Sequence, residues 1–314
     1  VSTQLVRRVH SSNGFTSEPK GCVATIGNFD GVHQGHQALL KQVILRAKEL
    51  NLSSRVMIFE PQPAEFFLKD KCIARLTRFR EKFYYLAKEK VDEVWVVLFN
   101  KALALLTATE FIEHVLCAQL YVKHLIVGED FRFGQGRKGD VALLKAKGQQ
   151  LGFTVETMPS VMIEGERVSS TRVRNALANA DHLLAEQLLG RPYCMLGRVV
   201  YGNQLGRTLG FPTANIYLHR RVTPIHGIYA VRLHGIAKKG LPGVANIGIR
   251  PTIGGTRTLL EVHVFDFSQT IYGSQVCVEF CKKLREEAKF ENLELLKAQM
   301  CLDAAEARHY FMRD

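Results

Sequence analysis

Residues 26–50 read IGNFDGVHQGHQALLKQVILRAKEL, and this stretch decides how the first half of the chain folds. It is preceded by the short apolar run CVATI (22–26), which has the texture of a buried strand. Beyond the glycines, Leu39, Leu40, Val43, Ile44 and Ala47 recur at helical spacing. His33 and His36 therefore sit at a strand-to-helix turn, beside backbone N–H groups that a helix start leaves unsatisfied. Such a turn suits an anion, and imidazole N–H donors there can stabilise developing phosphate charge. Gly27, Gly31 and Gly35 let backbone approach such a ligand closely. Two other readings of the pair stay open. The histidines can be ordinary polar turn residues, or a metal pair that would need a third ligand, for which the neighbouring sequence offers no obvious candidate.

Outward from this turn, residues 22–160 alternate strand and helix signals. Apolar runs occur at CVATI, RVMIF (55–59), EVWVVLF (93–99), KHLIVG (123–128) and FTVETM (153–158). Helix-like stretches at 34–50, 78–90, 107–120 and 140–151 separate them. The alternation predicts an α/β domain with a parallel, helix-flanked sheet, whose ligands bind outside the carboxyl ends of the strands. GNFDGVHQGH (27–36) and GEDFRFGQGRKGD (128–140) both follow strands and fall on the same rim.

After a further helix-like stretch, STRVRNALANADHLLAEQLLG (170–190), the texture changes. Gly190, Arg191 and Pro192 interrupt the helical pattern, and short β runs separated by glycine and proline continue to about residue 285: CMLGRVVYG, GIYAVRLHG, LPGVANIGI, TLLEVHVFDF and SQVCVEFCKKL. These predict a small barrel or sandwich, followed by an amphipathic docking helix over 291–311. The boundary falls near 187–191, giving expected domains of 1–187 and 188–314.

Three further elements can carry chemistry. In VSSTRVRNAL, Ser169, Ser170 and Thr171 can cap a helix whose first turn holds Arg172 and Arg174; cations at that end oppose the helix dipole, a conflict that a bound triphosphate would relieve. GNQLGRTLGFPTAN (202–215) places Gly202, Gly206, Arg207 and Gly210 where a loop can wrap phosphates, and Thr213 and Asn215 offer the hard oxygens that Mg²⁺ takes. Glu261 sits in a strand whose alternation puts Leu259, Glu261, His263 and Phe265 on one face. A Walker-type phosphate loop is absent.

Composition narrows the classes. Hydrophobic residues make up 46% and charged residues 23%, as in an ordinary globular protein. No apolar run approaches spanning length, no secretory signal is visible, and seven scattered cysteines without a C-x-x-C pair fit a reduced, cytoplasmic setting. The net charge of +12 calls for anionic partners. It is spread evenly: 25 Lys/Arg against 20 Asp/Glu over 1–187, and 17 against 10 over 188–314. A diffuse excess without a basic arm fits nucleotides better than nucleic acid, and neither nucleic acid nor a membrane is expected as a partner.

GNFDGVHQGH, FEPQPAEFF (59–67), GEDFRFGQGRKGD and VSSTRVR resemble the FMN adenylyltransferase module of prokaryotic bifunctional riboflavin kinase/FAD synthetases. GRVVYGNQLGRTLGFPTANI, GIYAVR, GVANIGIRPTIGG and LEVHVFDF are similar to the riboflavin kinase module, in the same order. The resemblance spans roughly 20–310. It implies a Rossmann-like nucleotidylyltransferase domain followed by a kinase barrel, with ATP, riboflavin, FMN and FAD as ligands and Mg²⁺ as cofactor. It places His33 and His36 on the ATP phosphates, with Asn28 and Asp30 shaping the turn, and Ser170, Thr171 and Arg174 on the triphosphate. Pro61 and Pro63 line the flavin side. Asp130 stands where some relatives carry Asn, so its role is open. In the second module the resemblance assigns Thr213 and Asn215 to Mg²⁺ and ATP and makes Glu261 the general base for the ribityl 5′-hydroxyl. Two rival readings stand beside it: adenylylation of another phosphorylated metabolite, and a nucleotide-binding regulator of nucleic acid.

Overall fold

The computed structural model describes residues 6–10, 21–68, 73–202, 205–220, 222–252 and 255–313, without the side chains of 6–10, 205, 207, 249–252 and 255–257. Its contacts divide the chain into two compact units: Val1–Ile73 with Thr77–Ser169, and Ala74–Leu76 with Ser170–Asp314.

The first unit is built on a six-stranded sheet. Its strands are β1 (Val6–His10), β2 (Cys22–Ile26), β3 (Ser53–Glu60), β4 (Glu93–Leu98), β5 (Val122–Gly128) and β6 (Thr154–Met158), in the order β1-β4-β3-β2-β5-β6. β2 to β6 are parallel, as the alternation predicts. β1 is an addition: it pairs antiparallel with β4 at the edge, outside the parallel set read from the sequence.

β2 is buried throughout, and its successive side chains serve opposite faces. Cys22, Ala24 and Ile26 join a cluster with Leu116, Leu125 and Phe153, whereas Val23 packs with Val43 and Ala47 of helix α1 (Gln34–Glu49). β3 divides likewise, Met57 to the first cluster and Val56 and Ile58 to a third with Leu40 and Leu86. A sheet covered on both faces needs this near-continuous apolar run. The remaining helices of the unit are α2 (Pro63–Leu68), α3 (Phe79–Lys88), α4 (Lys101–Leu105), α5 (Ala108–Glu110), which runs into a π-helical segment at Phe111–Cys117, and α6 (Val141–Leu151). A short hairpin, β7 (Met162–Ile163) with β8 (Glu166–Arg167), closes it.

The second unit opens with α7 (Ser170–Ala178) and α8 (His182–Leu189). The sequence reads as one helical stretch here. The structure breaks it at Ala180, with φ of 58°, and restarts it at Asp181, whose side chain accepts from the Leu184 N–H at 3.0 Å. Then comes a closed antiparallel barrel of β9 (Cys194–Val200), β10 (Ala214–Tyr217), β11 (Gly227–His234), β12 (Leu241–Thr252), β13 (Gly255–Val264) and β14 (Gln275–Arg285), ordered β10-β13-β12-β11-β14-β9. A short helix, α9 (Leu205–Thr208), precedes β10. Ile216, Tyr229, Val231, Ala245, Ile247, Leu260, Val262 and Val278 fill the interior. The residues between them in sequence, Asn215, Asn246 and Glu261 among them, therefore face outward. Helix α10 (Leu293–Met312) lays Ala304 and Ala307 against Ala230 and Phe265, and Arg285 clamps Asp303 through two bonds of 2.8 and 2.6 Å.

Candidate active sites

In the first unit the parallel sheet brings the ends of β2, β3 and β5 to one rim, and the turn after β2 carries the histidines. This turn is strained. Phe29 and Val32 adopt φ of 48° and 43°, flanking Gly31 at 85°; a β-branched residue in that region is a genuine outlier. The conformation is held from a distant segment. The buried Asp30 carboxylate accepts from the Thr77 N–H (2.9 Å) and hydroxyl (3.2 Å), while the same hydroxyl accepts from the Gly31 N–H at 2.9 Å.

The turn delivers His33 to the N-cap of α1, where its Nδ1 accepts from the His36 N–H at 3.3 Å. In the neutral ring that bond fixes the tautomer, leaving the proton on Nε2. The His36 ring stacks on His33, with centroids 3.6 Å apart, and Phe29 packs at 4.8 Å on His36. Gly35 spares the stack a close contact, because a Cβ would stand 3.2 Å from the His33 ring and push it by a few tenths of an ångström. A Cβ on Gly27 would similarly crowd the Phe29 ring at 3.1 Å. Gly27, Asn28, Asp30, His33, Gly35 and His36 are thus one local constellation at a helix N-terminus, the kind of place where an anion can bind. Among the described residues no group of three or more His, Cys, Asp or Glu side chains is arranged to hold a metal, so the metal-pair reading gains no third ligand.

β3 ends at a cis Glu60–Pro61 bond, and Pro63 opens α2. The two prolines frame a group of aromatic rings that the sequence reading did not single out. Phe99 meets Phe59, Phe66 and Phe67 edge-on at 5.6, 5.4 and 5.8 Å, and Phe67 is 63% exposed. Their sequence signal was the FF of FEPQPAEFF; the partners at 59 and 99 come from β3 and from just past the end of its neighbour β4. Asp130, beyond β5, is engaged by Arg167 of β8 through bonds of 2.5 and 3.1 Å. Hydrogen bonding from this guanidinium holds the Asp130 carboxyl below the usual carboxylate range.

Ser170, Thr171 and Arg174 belong to the second unit. They lie in the first turns of α7, which buries Val173, Ala176 and Leu177, and Arg174 Nε donates to the Ala74 carbonyl at 2.7 Å.

On the barrel, the register explains the second constellation. Asn215 of β10 pairs directly with Glu261 of β13, which pairs directly with Asn246 of β12. Directly opposed residues share a face, so the three polar side chains form a row across adjacent strands. Gly202 makes room for this row: a Cβ there would fall 2.3 Å from the Asn215 amide. Gly206 lies against Phe211 and Thr213, and Gly210, at φ of 89°, turns the chain toward β10. His263 Nδ1 bonds the Pro212 carbonyl at 2.9 Å, tying the PTAN segment to β13. Arg207 lies on α9, its side chain outside the described residues. The Thr213 hydroxyl and the Asn215 amide, the latter opposite Glu261, offer the hard oxygens a divalent cation favours, so these residues fit a metal that would neutralise phosphate charge. Kinases and nucleotidyltransferases that use ATP generally need such a metal.

The two units thus carry separate sites of the kind that handles nucleoside phosphates. Residues 15–172 match the family model described as FAD synthetase, and residues 189–311 match the one described as riboflavin kinase. The chain is 51% identical to the bifunctional riboflavin kinase/FMN adenylyltransferase of Haemophilus influenzae, over 98% of this chain and 99% of that protein. It is 50% identical to the proteins of the same name from Escherichia coli K12 (98% and 98%) and Pseudomonas fluorescens (97% and 97%). A solved Streptococcus pneumoniae structure titled a macrolide-efflux protein shares the fold at a TM-score of 0.76 and 32% identity, covering 91% of this chain and 93% of that one. Its title names a transport role; among the described residues here, no helix is long and apolar enough to cross a membrane.

The class is therefore a two-module enzyme that transfers groups from ATP. The chain belongs to the bifunctional riboflavin kinase/FMN adenylyltransferase family.

Proposed function

We propose that this chain carries out two successive transfers: riboflavin and ATP to FMN and ADP on the barrel, then FMN and ATP to FAD and pyrophosphate on the α/β sheet. The observation that carries the reading is the presence of two matched modules in one chain, each with its polar constellation intact. For the functional boundary we assign 1–187 to adenylyl transfer and 188–314 to phosphorylation. The anionic substrates give the charge of +12 a use.

In the kinase module, Glu261 takes the proton of the ribityl 5′-hydroxyl as its oxygen attacks the γ-phosphorus, and the bond to the β-phosphate oxygen breaks to release ADP. Thr213 and Asn215 would hold Mg²⁺, which when bound neutralises phosphate charge. The loop bearing Gly202, Gly206, Arg207 and Gly210 covers the nucleotide. In the adenylyltransferase module an FMN phosphate oxygen attacks the α-phosphorus of ATP, and pyrophosphate leaves. His33 and His36 donate to charge developing on the phosphates, and Gly27, Asn28, Asp30 and Gly35 set the turn that aims them. Ser170, Thr171 and Arg174 are assigned to the triphosphate by their motif. Pro61, Pro63 and the Phe59, Phe66, Phe67 and Phe99 rings present an aromatic surface suited to an isoalloxazine; Asp130, fixed by Arg167, stands on the flavin side. Both steps are in-line displacements in which positioning outweighs covalent chemistry. Free thiols at all six described cysteines support a reducing, cytoplasmic setting.

The test is a time course with riboflavin, ATP and Mg²⁺. FMN should rise first and FAD follow. Absence of both products from a folded, monodisperse sample would refute the assignment.

A further inference from the structure

The row across the barrel's outer face contains a residue, Asn246, that lies within the GVANIGIRPTIGG run but has no role in the reaction assigned above. Asn246 is directly opposed to Glu261, and its Oδ1 is buried with no hydrogen-bond partner among the described residues. A buried amide oxygen left without a donor is unfavourable, so such an atom next to a reaction centre points to a ligand donor. The order of the row says which donor. Asn215 stands on one side of Glu261, the proposed nucleotide side, and Asn246 on the other. Past Asn246 the row turns apolar, at Ile228 of β11. An acceptor alcohol that presents its terminal hydroxyl to Glu261 must lead its carbon chain away from the phosphates, toward Asn246. Neighbouring strands are about 4.8 Å apart, about four bonds along an extended carbon chain, so Asn246 comes opposite a chain position roughly three to four carbons in from the reacting end.

We propose that Asn246 is a specificity-determining residue of the kinase site, whose Oδ1 accepts a hydrogen bond from an inner secondary hydroxyl of the polyol substrate. The proposal rests on the riboflavin kinase reading and names the part of the substrate recognised. It explains why an amide stands at a strand position flanked by Val244 and Gly248 on the same face. Polyol chains would be favoured over plain alkyl chains ending in the same hydroxyl.

The experiment compares riboflavin with a flavin bearing a 5-hydroxypentyl chain at N10, which keeps the terminal hydroxyl and lacks the inner ones. The wild-type enzyme and Asn246→Ala are assayed for phosphorylation of both. A neutral hydrogen bond corresponds to a factor of about three to ten. The wild type should show a KM higher by that factor for the analogue. In N246A the KM for riboflavin should rise to meet it, while the analogue's KM stays at its wild-type value. Equal weakening of both substrates, or no change in either, would overturn the proposal. Failure of the wild type to phosphorylate riboflavin would overturn the kinase reading instead. If N246A melts early, Asn246→Val makes the same comparison with a strand-favouring side chain.

Discussion

Thr77 shows how much of the adenylyltransferase site depends on a residue outside its motif. One hydroxyl accepts from Gly31 and donates to Asp30, bridging two ends of a turn in which Phe29 and Val32 hold left-handed backbone. Conformations of this kind cost about 1–3 kcal/mol each and persist only where surrounding bonds over-determine them. Thr77→Val keeps the shape and removes both bonds. FAD formation should fall by about tenfold, in line with the loss of one to two hydrogen bonds to the turn, while riboflavin phosphorylation is unchanged; steady-state assays of the two activities check this. Unchanged FAD formation would show that the turn holds itself. The histidines and glycines were legible in the sequence because they are contiguous. Thr77 was not, being 47 positions from Asp30 with nothing local to mark the pairing. Asn246 was hidden for a related reason: its proximity to Glu261 is a matter of strand register, which alternation alone does not set.

Elements were read well where periodicity was strong. The five parallel strands and α1 announced themselves through apolar runs and a helical repeat. β10, four residues within a glycine- and proline-rich segment, had too little length to show a period. β1 is an edge strand whose VRRVH sequence lacks a continuous apolar run. The junction of α7 and α8 also bears a testable burden. His182, at the start of α8, has both ring nitrogens buried without a hydrogen-bond partner among the described residues and packs edge-on to Tyr229 at 5.4 Å. Burial pushes its pKa below the ordinary 6.5, partly opposed by the nearby Asp181 carboxylate. The folded state thus holds fewer protons than the unfolded chain once pH falls through 6.5, and stability declines as acid is added until the folded-state histidine also titrates. Melting temperature should fall between pH 7 and pH 5, and His182→Leu should reduce that fall. An identical pH profile in H182L would show that His182 contributes nothing to it.

At the scale of the whole molecule, the compact units and the two matched families divide the chain at different points. α7 and α8 pack with the barrel unit, burying Ala185, Leu188 and Leu189, whereas the riboflavin kinase match begins at 189. The sequence reading puts the boundary near 187–191, beside the Gly190–Arg191–Pro192 helix breaker, which marks where helical structure stops and says nothing of which side the helices pack on. Fragments 170–314 and 188–314 should both phosphorylate riboflavin and make no FAD. The longer one should melt higher, since it retains the apolar face of α8. Thermal melts with a kinase assay decide this, and equal stability would detach the helices from the barrel unit.

The central claim is that two independent sites lie on one chain, and complementary variants test it most directly. His36→Ala removes the proposed donor to developing phosphate charge, a loss of about 10²–10³ in rate. Glu261→Gln keeps shape and removes the proposed base, a loss of about 10²–10⁴. Given riboflavin, ATP and Mg²⁺, H36A should accumulate FMN with FAD formation reduced by its factor. Given FMN and ATP, E261Q should make FAD at a near-normal rate while failing to make FMN from riboflavin. Loss of both activities in either folded variant, or of neither in both, would contradict two separate sites.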